Sequence, residues 1–319
     1  MTAIAYRQAV RDALRDEMEA DERVVLMGED VTRGGVFNVT PDLSERFGEK
    51  RVIDTPISEL AFTSAAFGAA VRGLRPVVEI MFGDFLGLAL DSLGNQASKY
   101  WYLSNGQSSV PLTVRSAVGG GASFGPCHSQ TPTGWFMGEP GLKLVAPSTP
   151  ADAYAMTRAA IQEPNPVVVF EHKALYARKG ELARAPLGLG RAEVRRAGSD
   201  VTIVAALAMV ERALEAAETL AGDGIEADVI DLRSLRPLDA DAIRESVVRT
   251  RHLVVVEEGP PQGGYAAEVV AVAVEGAGPI AARRVTMADL PIPFAPTLEK
   301  EALPDAGGVA AAARALLGG

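Results

Sequence analysis

Three side chains in this sequence have the type and setting to do chemistry near neutral pH. The first is Glu59, at the end of Asp54-Thr55-Pro56-Ile57-Ser58-Glu59. A short apolar strand ends there, Pro56 sets a turn, Ser58 is placed to cap, and Glu59 enters a helix of small and apolar residues, ELAFTSAAFGAAVRGL. The plainer reading is an acid favoured in a first helical turn by the helix dipole. Against it stands the helix itself, whose lack of a polar face predicts burial all round. A carboxyl at the mouth of such a helix loses solvent, which raises its pKa and lets it carry a proton. The second is His128, in the loop Gly125-Pro126-Cys127-His128-Ser129-Gln130 that follows a run of glycines. A loop histidine is most often polar surface; one that follows a strand end beside Ser129 and Gln130 can also serve as a general acid. The third is Cys127, the single cysteine. Adjacent residues of an extended segment point opposite ways, so His128 is not placed to activate it, and it is not read as a nucleophile.

These residues need elements to hold them. Ile4, Val10, Leu14 and Met18 recur at helical spacing. Short apolar runs at 24–27, 51–55, 76–80, 112–118, 142–145 and 167–170 read as strands, with helices over 59–74, 85–102 and 151–162. The 167–170 strand ends in Glu171-His172-Lys173. Continuous apolar strands alternating with helices predict a parallel sheet covered on both faces. The pattern weakens after Tyr176, in an Arg-, Gly- and Pro-rich stretch that reads as a linker with an edge segment. It restarts at Val201 with VTIVAAL, MVERALEAAETLAG, ADVIDL, HLVVVEEG and RRVTM. The expected fold class is therefore α/β with two parallel-sheet domains, over 1–180 and 199–319, joined by a linker at 181–198.

Composition removes several classes. A chain of 319 residues, 48% of them apolar, can bury a substantial core. A formal net charge of -10 argues against nucleic acid, which calls for a basic face. The opening MTAIAYRQAVRDALRDEMEADE has charges in every turn and no apolar run suited to a signal peptide or membrane span. One cysteine permits no intrachain disulfide, and a reducing cytoplasm is the expected location. Gly119–Gly125 looks like a dinucleotide fingerprint, but its last glycine comes one residue late and Pro126 discourages the helix it needs.

Taken in order, DTPISE, GLRPVVEIMFGDF, GGGASFGPCHSQ, PGLKLVAPSTPADA and NPVVVFEHK, then DVTIVAALAMVERAL, VIDLRSLRPLD, HLVVVEEG and GGYAAEV, closely resemble the beta subunit of the decarboxylating component of 2-oxo acid dehydrogenase complexes. The resemblance runs from Tyr6 to the last helix. It implies a transketolase-like chain, a thiamine-diphosphate pyrimidine-type domain followed by a transketolase C-terminal-like domain.

The site residues follow by position from that resemblance. Glu59 matches the glutamate that bonds the pyrimidine nitrogen of thiamine diphosphate and promotes loss of the thiazolium proton. Phe85 matches the aromatic that stacks on the pyrimidine, while Glu29 and Met81 match positions lining the same half of the cofactor. Taken locally, Phe85 is a helix-core residue, Met81 a core methionine and Glu29 a turn acid. His128 matches an active-site histidine at the substrate end, stabilising an oxyanion or donating a proton as the acyl group passes to lipoyl. A monovalent cation (K+) site on the backbone of Leu112, Ala160, Glu163 and Asn165 is also implied, although QEPNP departs from the family pattern. His252 reads as structural, and neither it nor His172 matches a catalytic position.

Gly222-Asp223-Gly224 looks like the start of the diphosphate- and Mg2+-binding motif, but no asparagine follows Asn165 to complete it. It reads as a turn. The diphosphate and Mg2+ are therefore expected on an alpha subunit, in an alpha2beta2 heterotetramer docked on a lipoyl-bearing acyltransferase core. Pyruvate is the leading substrate, with acetoin and branched-chain 2-oxo acids as alternatives. A non-catalytic assembly scaffold is the reading from a different class, and Glu59 argues against it.

Overall fold

The computed structural model describes residues 3–182 and 185–318. Numbered along the chain, the first strands are β1 (Ile4–Ala5), β2 (Val24–Gly28), β3 (Val52–Asp54), β4 (Arg75–Ile80), β5 (Thr113–Val118), β6 (Lys143–Val145), β7 (Val167–His172) and β8 (Lys179–Gly180). They alternate with α1 (Tyr6–Ala20), α2 (Leu43–Phe47), α3 (Glu59–Val71), α4 (Ser98–Leu103), α5 (Gly134–Met137) and α6 (Pro150–Gln162). Then come β9 (Glu193–Arg196), β10 (Val201–Ala205), β11 (Ala227–Asp231), β12 (Ser234–Arg236), β13 (His252–Glu257) and β14 (Ala281–Thr286). Their helices are α7 (Met209–Gly222), α8 (Ala240–Thr250), α9 (Tyr265–Ala277), α10 (Pro296–Ala302) and α11 (Ala306–Leu317).

Contacts gather the chain into two units. One runs to Val118 and resumes over Gly138–Leu189; the other joins Gly119–Met137 to Gly190–Gly319. The segment carrying His128 thus packs with the second unit, although the strands on either side of it in sequence, β5 and β6, belong to the first.

In the first unit six parallel strands run in the order β6-β7-β5-β4-β2-β3. β5 and β7 are buried along their whole length, as strands covered on both faces must be. α1 buries Tyr6, Ala9, Val10, Ala13, Leu14 and Met18. Ile4 falls outside this helix, in the two-residue strand β1 that pairs with β8. In the second unit β14-β13-β10-β11 are parallel, and β9 closes one edge antiparallel to β11. The Gly222–Gly224 segment is the turn between α7 and β11, with Gly224 at φ 78°.

Two further expectations differ from the structure. The helix expected over 85–102 is not one α-helix. It is a 3-10 segment (Gly83–Ala89), a π segment (Asp91–Ala97) and then α4. Asp91 selects the wider turn by accepting from Asn95 at 3.0 Å and, five residues on, from Gln96 at 2.7 Å. The strand expected to end at Phe170 continues to His172 because Glu171 is paired inside the sheet.

That pairing is a row of charge across three strands. Glu79 on β4 is the register partner of Arg115 on β5, whereas Glu171 on β7 lies two residues beyond Val169, the residue level with Arg115; all three charged residues are buried. Glu171 fills the guanidinium fork, with Nε and Nη2 donating at 2.8 and 2.6 Å, and also accepts from the Tyr176 hydroxyl at 2.9 Å. Glu79 meets the remaining Nη1 of Arg115. Two carboxyls face one cation, so burial first, and then the Glu171 charge, push the Glu79 carboxyl up despite Arg115.

A carboxyl raised in the folded state binds its proton more tightly there. Its stabilisation is whole below the ordinary glutamate range and is lost as pH rises through the raised folded value. Glu79→Gln keeps an oxygen for Arg115 and removes the titration. Its stability should therefore decline less than that of the native protein as pH rises above the glutamate range. Urea midpoints across a pH series test this, and parallel curves for the two proteins would overturn it.

Candidate functional site

Ligands in open parallel sheets bind beyond the carboxyl ends of the strands, and Glu29, Glu59, Met81 and Phe85 all emerge there. β3, β2 and β4 are neighbours, with Gly28 in register with both Asp54 and Glu79. Glu29 therefore leaves β2 beside the segment that leads from β3 to Glu59, while Met81 and Phe85 follow β4. Asp54 ties these exits together by accepting from the Thr32 N–H at 2.9 Å and from its hydroxyl. Thr55 N–H donates to Gly28 O at 3.0 Å. Gly35, at φ 68°, lets the Glu79 carboxylate close in, since a Cβ there would lie 2.6 Å from Oε1.

Glu59 is buried in the first turn of α3, 5% exposed. Ser58 stands at the cap position but makes no capping hydrogen bond through its side chain. The expectation that α3 is buried all round does not hold for this chain by itself. Phe62, Thr63, Ala66 and Ala70 are covered, whereas Leu60, Ala61, Ala65 and Gly68 are exposed. The preceding Ile57 is 84% exposed. The helix lacks a polar face, yet this chain leaves that apolar side exposed.

Glu29 is buried, and its Oε1 has no hydrogen-bond partner among the described residues. Its carboxyl is held above the usual carboxylate range by burial, then by the charge of Glu59 and then by Asp30. Phe85 is half-buried, edge-on to Phe82 with ring centroids 6.0 Å apart. Two buried carboxyls close enough for one to feel the other's charge suit a flat heteroaromatic carrying both a basic ring nitrogen and an amino group. An orphaned acceptor is what such an amino group would satisfy. The first unit therefore fits the pyrimidine half of thiamine diphosphate.

The K+ positions fit less well. Leu112 O already accepts from Val167 N–H at 3.0 Å, and Ala160 O from Glu163 N–H at 3.3 Å. Arg75 donates to Ile161 O at 2.8 Å, and Lys143 Nζ lies 2.6 Å from the Glu163 carboxylate. Positive charge is supplied to this corner by two side chains, and the residues present fit a K+ cage poorly. Among the described residues no group of three or more His, Cys, Asp or Glu could hold a metal ion.

In the second unit His128 is half-buried and Cys127 exposed. Gly125–His128 is a β-turn, with His128 N–H donating to Gly125 O at 3.3 Å and Pro126 in the position that favours its fixed φ. His252 opens β13, with Nδ1 2.9 Å from Thr250 O and 3.1 Å from Asp200 O; His172 Nδ1 accepts from Ala174 N–H at 3.2 Å. Sequence reasoning missed Glu79, Arg115 and Glu171. The available signal was a charged residue in each of three strands that are otherwise apolar.

The family described as "Transketolase, pyrimidine binding domain" matches residues 2–179, and "Transketolase, C-terminal domain" matches 190–309. The beta subunit of acetoin:2,6-dichlorophenolindophenol oxidoreductase from Cupriavidus necator is 42% identical, covering 99% of this chain and 98% of that protein. Pyruvate dehydrogenase E1 component subunit beta-1, mitochondrial, from Arabidopsis thaliana is 43% identical over 94% of this chain and 86% of its own length. The 2-oxoisovalerate dehydrogenase subunit beta of Bacillus subtilis is 41% identical over 99% of both. A solved structure described as a split gene transketolase, inactive beta4 tetramer, superposes with a TM-score of 0.83 at 24% identity, over 99% of this chain and 98% of that one. At that identity it speaks to the fold.

The coupling between the two site carboxyls is testable. Replacing Glu59 by Gln removes one of the causes that raise Glu29, but not the larger one, burial. The Glu29 titration, followed by carboxyl carbon NMR, should move down and still lie above the ordinary range. An unmoved titration would mean that the two groups do not sense each other.

Proposed function

This chain belongs to the beta subunits of the thiamine-diphosphate-dependent 2-oxo acid and acetoin dehydrogenases, and we propose that it supplies the cofactor-activating half of a 2-oxo acid dehydrogenase, with pyruvate as the substrate. The observation that carries this reading is the pair at the carboxyl edge of the sheet: Glu59 buried in the first turn of α3, beside Glu29 with its partnerless oxygen. When bound, thiamine diphosphate supplies the nucleophilic carbon and the electron sink that allow a 2-oxo acid to lose CO2. Glu59 holds and returns a proton at the pyrimidine ring nitrogen. Glu29 accepts from the amino group, Phe85 packs on the ring face, and Met81 helps to keep water away. His128 donates a proton or stabilises the oxyanion as the acyl group passes to lipoyl.

The alpha subunit brings the diphosphate and Mg2+ site and covers Ile57 and the apolar face of α3 at Leu60, Ala61 and Ala65, which supports an alpha2beta2 assembly docked on a lipoyl-bearing acyltransferase core. A cytoplasmic location belongs to the same reading. No helix among the described residues is long and apolar enough to cross a membrane.

Co-expression with the alpha subunit, followed by assays on pyruvate, branched-chain 2-oxo acids and acetoin, decides the substrate. Pyruvate should turn over fastest; a preference for acetoin or a branched-chain acid would move the chain to that branch of the family. In the same assembled sample Glu59→Gln should fold and bind cofactor with only a modest loss. Exchange of the thiazolium proton into deuterated water should fall by roughly two to four orders of magnitude, the usual share of general acid-base catalysis. A helix-end charge alone would instead cost about 0.3–1 kcal/mol of stability and leave exchange intact. Normal exchange in Glu59→Gln returns the chain to the scaffold reading.

A further inference from the structure

The loop that carries His128 has almost nothing of its own to pack with. Gly119-Gly120-Gly121-Ala122-Ser123-Phe124-Gly125 offers one large side chain, and Phe124 is 40% exposed. Pro126 and Gln130–Trp135, which follow it, line an open cavity of about 490 Å3 within the second unit. Gly119, Gly121, Ser123 and Gly125 all have positive φ, at 95°, 88°, 58° and 75°. Such a backbone has no regular hydrogen-bonded ladder to rest on. A segment of this kind keeps one shape only if its polar groups are fixed from outside.

Two buried carboxylates of the second unit do that. Glu258, just past the end of β13 and 4% exposed, accepts from Gly120 N–H at 2.7 Å and from the Thr131 hydroxyl at 3.3 Å. It therefore spans both ends of the loop, whose neck is also closed by Gly119 N–H donating to Gln130 O at 3.2 Å. Glu299, on α10 and 3% exposed, accepts from Gly121 N–H and Ser123 N–H, both at 2.9 Å, and from the Ser123 hydroxyl at 3.2 Å. Beyond these anchors Gly125 rests on the Phe294 ring, where a Cβ would lie 2.3 Å from the ring edge. The turn from Gly125 then places His128, and Gln130 Nε2 donates back across it to Pro126 O at 3.2 Å. Three donors satisfy the buried Glu299 carboxyl, and those same bonds fix the backbone of the loop.

We propose that Glu258 and Glu299 are positioning residues for His128, holding its loop in the conformation that acyl transfer to lipoyl requires. This rests on the reading of His128 given above. Neither carboxylate is a catalytic residue; each acts through the backbone of the loop.

The test uses the assembled alpha–beta complex. Glu299→Gln is nearly isosteric but turns an amide N–H toward one of the loop's N–H donors. Hydrogen exchange followed by mass spectrometry should show peptides over 119–125 exchanging at least about tenfold faster, as expected when buried amides lose their acceptor, while β10 and β13 remain protected. Lipoyl-coupled turnover should fall roughly ten- to a hundredfold, the usual consequence of a small misplacement, with decarboxylation to an artificial electron acceptor falling less. In a His128→Ala background the same substitution should cause no further loss of lipoyl transfer. Ser123→Ala, which removes one of the three bonds, should give the same changes at smaller size and serves if Glu299→Gln does not assemble. Unchanged exchange over 119–125 in both variants, or losses that multiply with His128→Ala, would overturn the proposal. Full lipoyl transfer in His128→Ala with a loosened loop in Glu299→Gln would instead remove the reading of His128, leaving the tether without its function.

Discussion

The first unit depends on one row of charge, Glu79–Arg115–Glu171, laid across three adjacent parallel strands. A parallel sheet of Val-, Ile- and Leu-rich strands buried on both faces gives weak guidance on register, since one apolar residue can replace another after a slip. A buried guanidinium with one carboxylate in its fork and a second at its remaining nitrogen allows a single alignment. A slip by one residue would reverse the faces and leave three charges unpaired inside the core, each costing several kcal/mol. The row is a determinant of specificity more than of stability. Burying it is expensive, and only the full set of bonds, the Tyr176 hydroxyl included, makes that tolerable.

Register at the sheet centre carries through to the site. With β4 fixed against β5, and β2 against β4, Gly28 lies level with Glu79 and Asp54. Glu29 and the 55–59 segment must then leave adjacent strand ends on the same side. Glu79 contributes twice, since its carboxylate also packs against Gly35 in the loop that follows Glu29. The second unit applies the same device to backbone. Glu257 accepts from the N–H groups of Tyr265 and Ala266 at the start of α9 and from the Thr133 hydroxyl. Glu258 and Glu299 hold the glycine loop. Carboxylates placed where strands or helices terminate thus organise both halves of the chain.

Most of the architecture was legible in the sequence because apolar runs and helical periodicity survive in a chain of this kind. α6 and α7 begin and end within a residue of where their patterns do. What could not be read required three-dimensional partners. The break of the 85–102 helix into 3-10, π and α segments depends on Asp91 reaching Gln96, which a 3.6-residue period does not report. The extension of β7 through Glu171 depends on Arg115, 56 residues earlier. Of the candidate site, Glu59 drew notice in the sequence because a carboxyl at the mouth of a helix with almost no polar face is out of place. Glu29 looked like an ordinary turn acid, since nothing local reveals that its oxygen is buried without a donor.

That last difference separates two kinds of buried carboxyl in this protein. Glu171, Glu257, Glu258 and Glu299 each accept at least two hydrogen bonds within the chain. Such groups are engaged by the folded chain, and they hold structure. Glu29 keeps a buried oxygen for which the described residues supply no donor, and it lies close enough to a second buried acid to feel its charge. Folding alone gives no reason to retain that arrangement. An amide or apolar side chain of similar size would remove the desolvation cost and the like-charge repulsion together. A donor from outside the chain would resolve it, and on the function proposed above the amino group of a heteroaromatic ring would supply one. The unsatisfied carboxyl is thus the feature that favours that proposal over a scaffold.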